Sequence, residues 1–266
     1  MSWFQAIILG LLQGLTEFLP VSSSGHLAIG KELLGVEASE DLVFEVVVHC
    51  ATVLATILVF RKQIWQLLKA LFKFKYNDET DYILKICVSM IPVFVVGVFF
   101  KDYVEQLFNS LYVVAGALLL TAALLFFSDR AKQAKENSHR NGISYLQAFI
   151  IGLGQAVAVV PGLSRSGTTI STGLLVGVKR ETVAQFSFLM VIVPILGESL
   201  LSFVGGEMAA SSVGLLPLAL GFVSAFVSGL FACKVMIALV KKAKLKWFAL
   251  YCLVVALAIF VAKLFI

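Results

Sequence analysis

The stretch FLPVSSSGH at residues 18–26 and the stretch VPGLSRSGTT at residues 160–169 determine how this chain folds. Each lies midway along an apolar region, 3–36 or 145–178, and puts proline, serine and glycine where a membrane helix would have to continue. A spanning helix needs about 20 apolar residues, and each half of these regions is shorter. Irregular backbone at membrane depth is tolerated only when it is buried in protein or lines a water-filled cavity. We therefore expect two re-entrant helix–loop–helix hairpins.

The composition is that of an all-α, polytopic membrane protein. Of 266 residues, 60% are apolar and 14% charged, against roughly 45–50% and 25% in soluble domains. These values exclude a disordered chain, a coiled coil, a secreted disulfide scaffold and a soluble nucleic-acid binder. The net charge of +5 comes mostly from short loops, which is the positive-inside pattern of membrane proteins. The lipid bilayer, and not nucleic acid, is therefore the expected surroundings.

Six further apolar stretches are long enough to span the bilayer. They are 42–60, 83–100, 111–127, 184–203, 213–233 and 247–265. The basic connections, which the positive-inside rule assigns to the cytoplasm, are 61–82, 128–142, 179–181 and 234–246. With six spans and two hairpins that each enter and leave on one side of the membrane, every basic connection lies in the cytoplasm. Both termini then lie outside. A bacterial inner membrane suits such a chain.

The chain contains an internal repeat. Residues 5–36 align without a gap with residues 147–178, and 12 of the 32 positions are identical, where composition alone would give roughly three or four. Repeat one covers about 1–127 and repeat two about 143–266 of a single membrane domain, 1–266, with the cytoplasmic loop 128–142 between them. Three spans per repeat give the halves opposite orientations. Inverted repeats with broken helices place their site near the membrane midplane.

The first hairpin carries acid–base and nucleophilic groups within QGLTEFLPVSSSGH, from Gln13 to His26. Gln13 and Glu17 are four residues apart and share a helix face. A glutamate in an apolar run is costly and indicates function. Capping of the second half-helix explains one serine, but not three in succession followed by a histidine. The three serines are Ser22, Ser23 and Ser24.

The second hairpin carries the pattern of an anion site. Pro161 and Gly162 end one half-helix, and hydroxyl groups begin the next. A helix N-terminus with hydroxyls favours anions, and the planar fork of Arg165 matches phosphate oxygens. The predicted phosphate-binding residues are Ser164, Arg165, Ser166, Gly167 and Thr169. Neutralisation of Glu17 by Arg165 is the alternative, and it does not exclude phosphate binding. The two hairpins together favour an amphiphile with a phosphorylated head and phosphoryl transfer to water.

Four more polar residues lie in apolar stretches. Glu45 and His49 are four apart on the span after the first hairpin, and Glu45 is a candidate supporting residue, as are Gln13 and Ser24. A supporting role is open for His49 as it is for Glu45, but for His49 and Glu198 a structural role is favoured. Lys85 is expected to extend its amine to the inner membrane interface.

These motifs resemble the undecaprenyl-diphosphate phosphatase family, the bacitracin-resistance proteins. QGLTEFLPVSSSGH is similar to the first signature of the family, (E/Q)xxxE followed by a serine-rich turn and a histidine, and PGLSRSGTT is similar to the second, PGxSRSxxT. FEVVVH at 44–49 and the repeat order also fit, so the resemblance covers the whole chain. Gln13 stands where many members have glutamate, which puts a metal-ligating carboxylate at this position in doubt.

The resemblance implies hydrolysis of undecaprenyl diphosphate on the outer face of the membrane, which recycles the cell-wall lipid carrier. It also implies dependence on Mg²⁺ or Ca²⁺, with Glu17 as a candidate metal ligand. By motif position the catalytic residues are Glu17, Ser22 or Ser23, His26 and Arg165.

Two mechanisms and two other classes of protein stay open. A serine, Ser23 in preference to Ser22, attacks the terminal phosphorus with His26 or Glu17 as base; alternatively, His26 and Glu17 activate water. The first rival class is a transporter or flippase of a phosphorylated polyprenyl lipid, because the architecture alone does not fix function. The second is a structural membrane subunit, which would not need Arg165 at depth. The oligomeric state is open between monomer and homodimer.

Overall fold

The computed structural model describes residues 1–36, 41–107, 110–131, 139–205, 213–242 and 244–265. These residues form thirteen α-helices and a 3-10 turn at Arg140–Gly142, with no strand among them. The helices are α1 (Trp3–Phe18), α2 (Ser23–Leu34), α3 (Asp41–Val59), α4 (Arg61–Leu71), α5 (Asp78–Phe99), α6 (Lys101–Leu107), α7 (Leu111–Asp129), α8 (Tyr145–Val157), α9 (Arg165–Leu175), α10 (Arg180–Met190), α11 (Ile192–Val204), α12 (Leu215–Lys242) and α13 (Lys246–Phe265). The prediction of an all-α membrane protein is confirmed.

Five helical stretches in the described part of the chain are long and apolar enough to cross a bilayer. They are Asp78–Phe99, Leu111–Asp129, Arg180–Ser202, Leu215–Val240 and Lys246–Phe265. A sixth candidate pairs α3 with α4, which are bent by 79° relative to each other. The predicted span 42–60 therefore coincides with α3, and α4 follows it after a sharp bend. Residues 132–138 of the predicted cytoplasmic loop 128–142 lie outside the described residues, as do the connecting residues 37–40 and 206–212.

Two predicted boundaries differ from the structure. The predicted basic loop 234–246 is helical as far as Lys242, because no proline or glycine interrupts the chain after Gly229. The span predicted at 184–203 begins earlier, at Arg180, and Val191 separates its two helices. Pro194 lies in the first turn of α11, where a missing amide hydrogen costs no helical hydrogen bond.

The two broken regions begin and close in the same way. α1 and α8 each start with a capping box in which a serine and a glutamine bond each other's backbone amides. The pairs are Ser2 with Gln5 and Ser144 with Gln147. Each glutamine also donates its side-chain amide, over 2.9 Å, to a carbonyl at the end of the next helix, Leu34 or Val176. In each pair of short helices, this hydrogen bond joins the start of the first helix to the end of the second.

Small residues let the first short helix of each pair pack closely on a long one. α1 lies against α12, where a Cβ on Gly10 or Gly14 would overlap the α12 backbone. α8 lies against α5 in the same way, because a Cβ on Gly152 would overlap the Ser89 backbone. Small residues at the interface are the usual contact of close-packed membrane helices. These contacts hold the two helix breaks inside the bundle.

The amine of Lys85, predicted to extend to the inner membrane interface, ends in a buried ion-pair cluster. Its side chain is almost fully buried, and its amine lies 2.5 Å from the Asp81 carboxylate and donates to the Arg140 carbonyl at 2.7 Å. Tyr145 and Asn141 also donate to Asp81, at 2.9 and 3.1 Å. A buried charge is retained at low cost only when it is paired and hydrogen-bonded. The cluster satisfies both charges and joins the start of α8 to α5.

Candidate active site

The break between α1 and α2 presents Ser23 at the start of a helix. α1 ends at Phe18, and Ser22, the N-cap of α2, has φ 72° and ψ 98°. A non-glycine residue with positive φ is uncommon, and such strain persists only where the surroundings impose it. The Ser22 hydroxyl accepts the amide hydrogen of Gly25 at 3.1 Å. Ser22 is therefore occupied as a cap, and the next hydroxyl points elsewhere.

The Ser23 hydroxyl points at Glu17. Ser23 Oγ donates to Glu17 Oε2 at 2.6 Å, and Gln13 Nε2 donates to the same oxygen at 2.9 Å. His49 Nε2, from α3, lies 3.7 Å from that oxygen. Both hydrogen bonds go to a carboxylate, which makes them stronger than bonds between neutral groups. The serine, the carboxylate and two flanking donors thus form one cluster.

The two ring nitrogens of His26 are both engaged away from Ser23. Nδ1 lies 2.7 Å from the Ser22 carbonyl oxygen, and Nε2 lies 2.7 Å from the Tyr251 hydroxyl. A carbonyl only accepts hydrogen bonds, so Nδ1 carries the hydrogen. His26 therefore holds the Ser22 peptide through a hydrogen bond, and its ring makes no hydrogen bond with the Ser23 hydroxyl.

The break between α8 and α9 places its own polar groups in a tight turn. Gly162 has φ 88° and lies so close to the Val114 carbonyl that any Cβ would collide with it. Ser164 is the N-cap of α9: its hydroxyl accepts from Gly167 N at 3.1 Å. The Thr169 hydroxyl lies 2.6 Å from the Ser187 hydroxyl and donates to the Arg165 carbonyl at 2.8 Å. Capping and internal hydrogen bonds thus occupy two of the predicted phosphate-binding hydroxyls.

The two breaks touch each other directly. Gly162 N donates to Ser24 Oγ at 3.2 Å, and Ser166 Oγ donates to the Leu19 carbonyl at 3.2 Å. A Cβ on Gly167 would lie 3.2 Å from Pro20 Cβ. Two breaks from opposite halves of the chain are therefore packed together in the middle of the bundle.

A small cavity lies between the breaks and the helices α3 and α10. Its volume is about 20 Å³, which is space for roughly one water molecule. The polar lining consists of Glu17, Arg165, Ser166, Ser187, Thr52 and Thr56, and the apolar lining of Phe18, Val53, Phe188, Val191 and Ile195.

Arg165 is held near Glu17 without a direct ion pair. Both side chains line the cavity, and they are close enough to interact electrostatically. The Arg165 guanidinium makes neither a hydrogen bond nor an ion pair within 4 Å with any residue in the described ranges. Its five N–H donors are therefore available to an anion.

The predicted residues separate into two groups. Glu17, Ser23, Gln13, Arg165 and Ser166 meet at or beside the cavity. Others are engaged around it: Ser22 and Ser164 as caps, Ser24 with Gly162, Thr169 with Ser187, and His26 with Tyr251. Glu45, predicted as a supporting residue, forms an ion pair with Lys31.

Two residues outside the predicted set of site residues also contact this site. For His49 the sequence favours a structural role and leaves a supporting role open; in the structure its Nε2 lies 3.7 Å from Glu17 Oε2. Tyr251 carries no sequence signal, since it is a single tyrosine in an apolar span 225 positions from His26.

The fold and the site define an integral membrane protein in which two broken helices bring a carboxylate, hydroxyls and a guanidinium into an apolar interior. The chain belongs to the family described as bacitracin resistance protein BacA, whose model matches residues 6–258. The resemblance noted from the two motifs is thereby confirmed.

Relatives over the full length carry one name, undecaprenyl-diphosphatase. The protein from Parabacteroides distasonis is 59% identical over 261 residues, which cover 97% of both chains. The protein from Bacteroides thetaiotaomicron is 56% identical over 268 residues, covering 99% of this chain and 100% of the relative. A protein from Methanobrevibacter smithii is 38% identical over 280 residues and 99% of both chains.

Proposed function

We propose that this chain hydrolyses undecaprenyl diphosphate to undecaprenyl phosphate and inorganic phosphate, which returns the cell-wall lipid carrier to use and confers resistance to bacitracin. The observation that carries the proposal is the 2.6 Å hydrogen bond from Ser23 Oγ to Glu17 Oε2, beside a guanidinium with no ion partner in the described ranges. A serine hydroxyl that donates to a carboxylate is a nucleophile next to the general base that activates it. A guanidinium with available N–H donors matches the geometry of phosphate oxygens.

In the first step, Ser23 Oγ attacks the terminal phosphorus and Glu17 accepts the hydroxyl proton. The bond from that phosphorus to the bridging oxygen breaks, and undecaprenyl phosphate leaves with the electron pair and takes up the proton from Glu17. Arg165 and the backbone amides at the N-termini of α2 and α9 stabilise the negative charge on the phosphoryl oxygens.

In the second step, water attacks the phosphoserine. Glu17 accepts a proton from the water, the bond from phosphorus to Ser23 Oγ breaks, and the serine oxygen recovers a proton from Glu17. Inorganic phosphate is released. The geometry favours Glu17 over His26 as the base, because both nitrogens of His26 are engaged elsewhere.

The donor atoms at the site fit a divalent cation, Mg²⁺ or Ca²⁺, that also binds the substrate. Within the described ranges, no cluster of three His, Cys, Asp or Glu side chains could hold a metal alone. Gln13 Oε1, however, is buried and has no hydrogen-bond partner among those residues, and hard cations take carboxylate and amide oxygens together with phosphates and water. Glu17 and Gln13 would hold the ion, which would neutralise charge on the phosphate.

We also propose the finer topology: six spans, two re-entrant hairpins and an inverted repeat, with both termini and the active site facing outside the bacterial inner membrane. The paired capping boxes support the repeat, as do the equal 2.9 Å glutamine–carbonyl bonds. So does the exchange of partners, in which α1 packs on α12 and α8 on α5. Helices of 16 and 12 residues, about 24 and 18 Å long, suit a hairpin better than two spans.

The single-cysteine variants Lys73→Cys and Leu215→Cys test this topology. Both positions are exposed. Lys73 lies in the basic connection 61–82, and Leu215 begins a span whose other end leads into the basic connection 234–246. With the four native cysteines replaced by alanine, we expect an impermeant maleimide to label Lys73→Cys only from the cytoplasm and Leu215→Cys only from outside. Labelling of both variants from the same side would contradict the inverted repeat.

Replacement of Arg165 by lysine tests the phosphate fork. Charge is kept, but a point charge on a flexible stem does not reproduce two parallel hydrogen bonds. We expect kcat/KM to fall at least about tenfold, which corresponds to roughly 1.4 kcal/mol. The measurement is phosphate release by purified protein. Turnover near that of wild type in Arg165→Lys would mean that Arg165 only balances the charge of Glu17.

The function itself is tested by phosphate release from farnesyl and undecaprenyl diphosphates in detergent, with and without EDTA. We expect release from both substrates, and loss of activity in EDTA that added Mg²⁺ or Ca²⁺ restores. Movement of the lipid across a vesicle membrane without phosphate release would overturn the proposal in favour of a transporter, which needs binding groups but no nucleophile.

A further inference from the structure

Tyr251 and His26 form a hydrogen bond next to the strained residue Ser22. Because His26 Nδ1 donates to the Ser22 carbonyl, Nε2 of the neutral ring is an acceptor, and the Tyr251 hydroxyl is its donor at 2.7 Å. The two rings are nearly parallel, 7° apart in plane, with centroids 5.6 Å apart. The hydrogen bond fixes the tautomer, and the nearly parallel arrangement of the two rings defines the orientation of the imidazole.

The contact joins the last helix to the first break. Tyr251 lies on α13, whose main packing partner is α7, and the neighbouring Cys252 thiol lies 3.7 Å from the Pro20 carbonyl. Tyr251 and Cys252, which are consecutive on α13, therefore contact polar groups at the break between α1 and α2. The Tyr251 side chain is also exposed in part, so burial alone does not explain its orientation toward His26.

We propose that Tyr251 is a positioning residue for the reaction: it acts through His26 to hold the turn that presents Ser23 to Glu17. The chain of contacts runs from the Tyr251 hydroxyl to His26 Nε2, and from His26 Nδ1 to the Ser22 carbonyl. Ser22 has φ 72° and directly precedes Ser23, so a rotation of its peptide would move the serine hydroxyl off the carboxylate. The inference rests on the proposed phosphatase activity and adds a residue that neither signature motif contains.

Replacement of Tyr251 by phenylalanine separates the hydroxyl from the ring. Phenylalanine keeps the aromatic ring and removes only the hydroxyl that donates to Nε2. We expect kcat on undecaprenyl diphosphate to fall about three- to tenfold, the usual worth of one hydrogen bond, while KM changes less than about twofold. An effect on kcat alone is expected because Tyr251 does not line the cavity beside Glu17 and Arg165.

Tyr112→Phe is the matched control. Tyr112 lies on α7, is more than half exposed, and stacks near Phe260 with no hydrogen bond from its hydroxyl to any residue of the described ranges. We expect wild-type kcat and KM from this variant. Equal losses in the two variants would show a general cost of removing a tyrosine hydroxyl, and would overturn the proposal.

Nitrogen-15 NMR of the imidazoles gives a readout independent of turnover. The chain has three histidines, so His26 is assigned by comparison with His26→Gln. We expect wild-type His26 in the Nδ1–H form, with its Nε2 resonance shifted in Tyr251→Phe and unchanged in Tyr112→Phe. Identical His26 resonances in Tyr251→Phe and wild type, or unchanged kcat, would refute the proposal. Absence of phosphate release by the wild type would instead refute the phosphatase.

Discussion

Ser23→Ala should give a folded protein that binds diphosphate and does not turn it over. The Ser23 hydroxyl donates only to Glu17, and α2 keeps its cap because that cap is Ser22. Stability should therefore change little. Loss of an attacking hydroxyl removes the first bond-forming step, and we expect kcat to fall by at least about a thousandfold. Melting temperature, diphosphate binding and turnover are measured on the same preparation.

Ser22→Ala is the neighbouring comparison, with the opposite pattern. It removes the hydroxyl that accepts from Gly25 N and should cost about 0.5–2 kcal/mol of stability. Turnover should be affected much less than in Ser23→Ala. Acid quenching during turnover should also trap labelled phosphate on the wild type but not on Ser23→Ala. If both serine variants stay within a few-fold of wild type while His26→Ala does not, covalent catalysis is wrong and direct attack by water replaces it.

The helix breaks could be predicted from sequence because they depend on local chemistry. Proline and glycine end a helix through the backbone of one or two residues, and the length of an apolar run is set by bilayer thickness. The breaks predicted around 18–26 and 160–169 correspond to the gaps between α1 and α2 and between α8 and α9. Boundaries that depend on where a helix leaves the membrane, such as the end of α12, were not predicted.

Lys85 illustrates how one boundary error changes the interpretation of a side chain. A span that starts at 83 assigns Asp81 to the loop 61–82, and Lys85 is then expected to extend its amine to the membrane interface. The helix begins at Asp78, so Asp81 and Lys85 are four residues apart on one helix face, a spacing that favours an ion pair. The pairing pattern was present in the sequence, but the assignment of Asp81 to a loop concealed it.

The partners of the site residues were the least predictable feature. The motif identified Glu17, Ser23 and His26, yet Tyr251 and His49 approach them from other helices through packing that no local pattern specifies. The hydroxyl pattern likewise did not distinguish capping serines from free ones, because both roles favour the same residue type at the start of a helix. Only the three-dimensional contacts of the two hydroxyls, with Gly25 N or with Glu17, separate the two roles.

Glu17→Gln should abolish turnover while keeping, or strengthening, the binding of diphosphate. Glutamine has the same shape and still accepts a hydrogen bond from Ser23 through its carbonyl oxygen, but it takes up no proton. General base catalysis contributes about a hundred- to ten-thousandfold, and we expect kcat to fall by a factor in this range or a larger one. Removal of the negative charge beside Arg165 also removes a repulsion against the anionic substrate, so Kd measured in EDTA, where no divalent cation contributes to binding, should not rise.

Glu198→Gln supplies the matched control, since it makes the same chemical change at another glutamate within an apolar span. Glu198 lies on α11, is exposed and has no hydrogen bond or ion pair with any residue in the described ranges. Its kcat and Kd should match those of wild type. Weakened binding in Glu17→Gln together with intact kcat would contradict the base assignment and make Glu17 a binding residue. Tighter binding with lost turnover would separate substrate recognition by Arg165 from proton transfer by Glu17, as the position of the guanidinium beside the carboxylate leads us to expect.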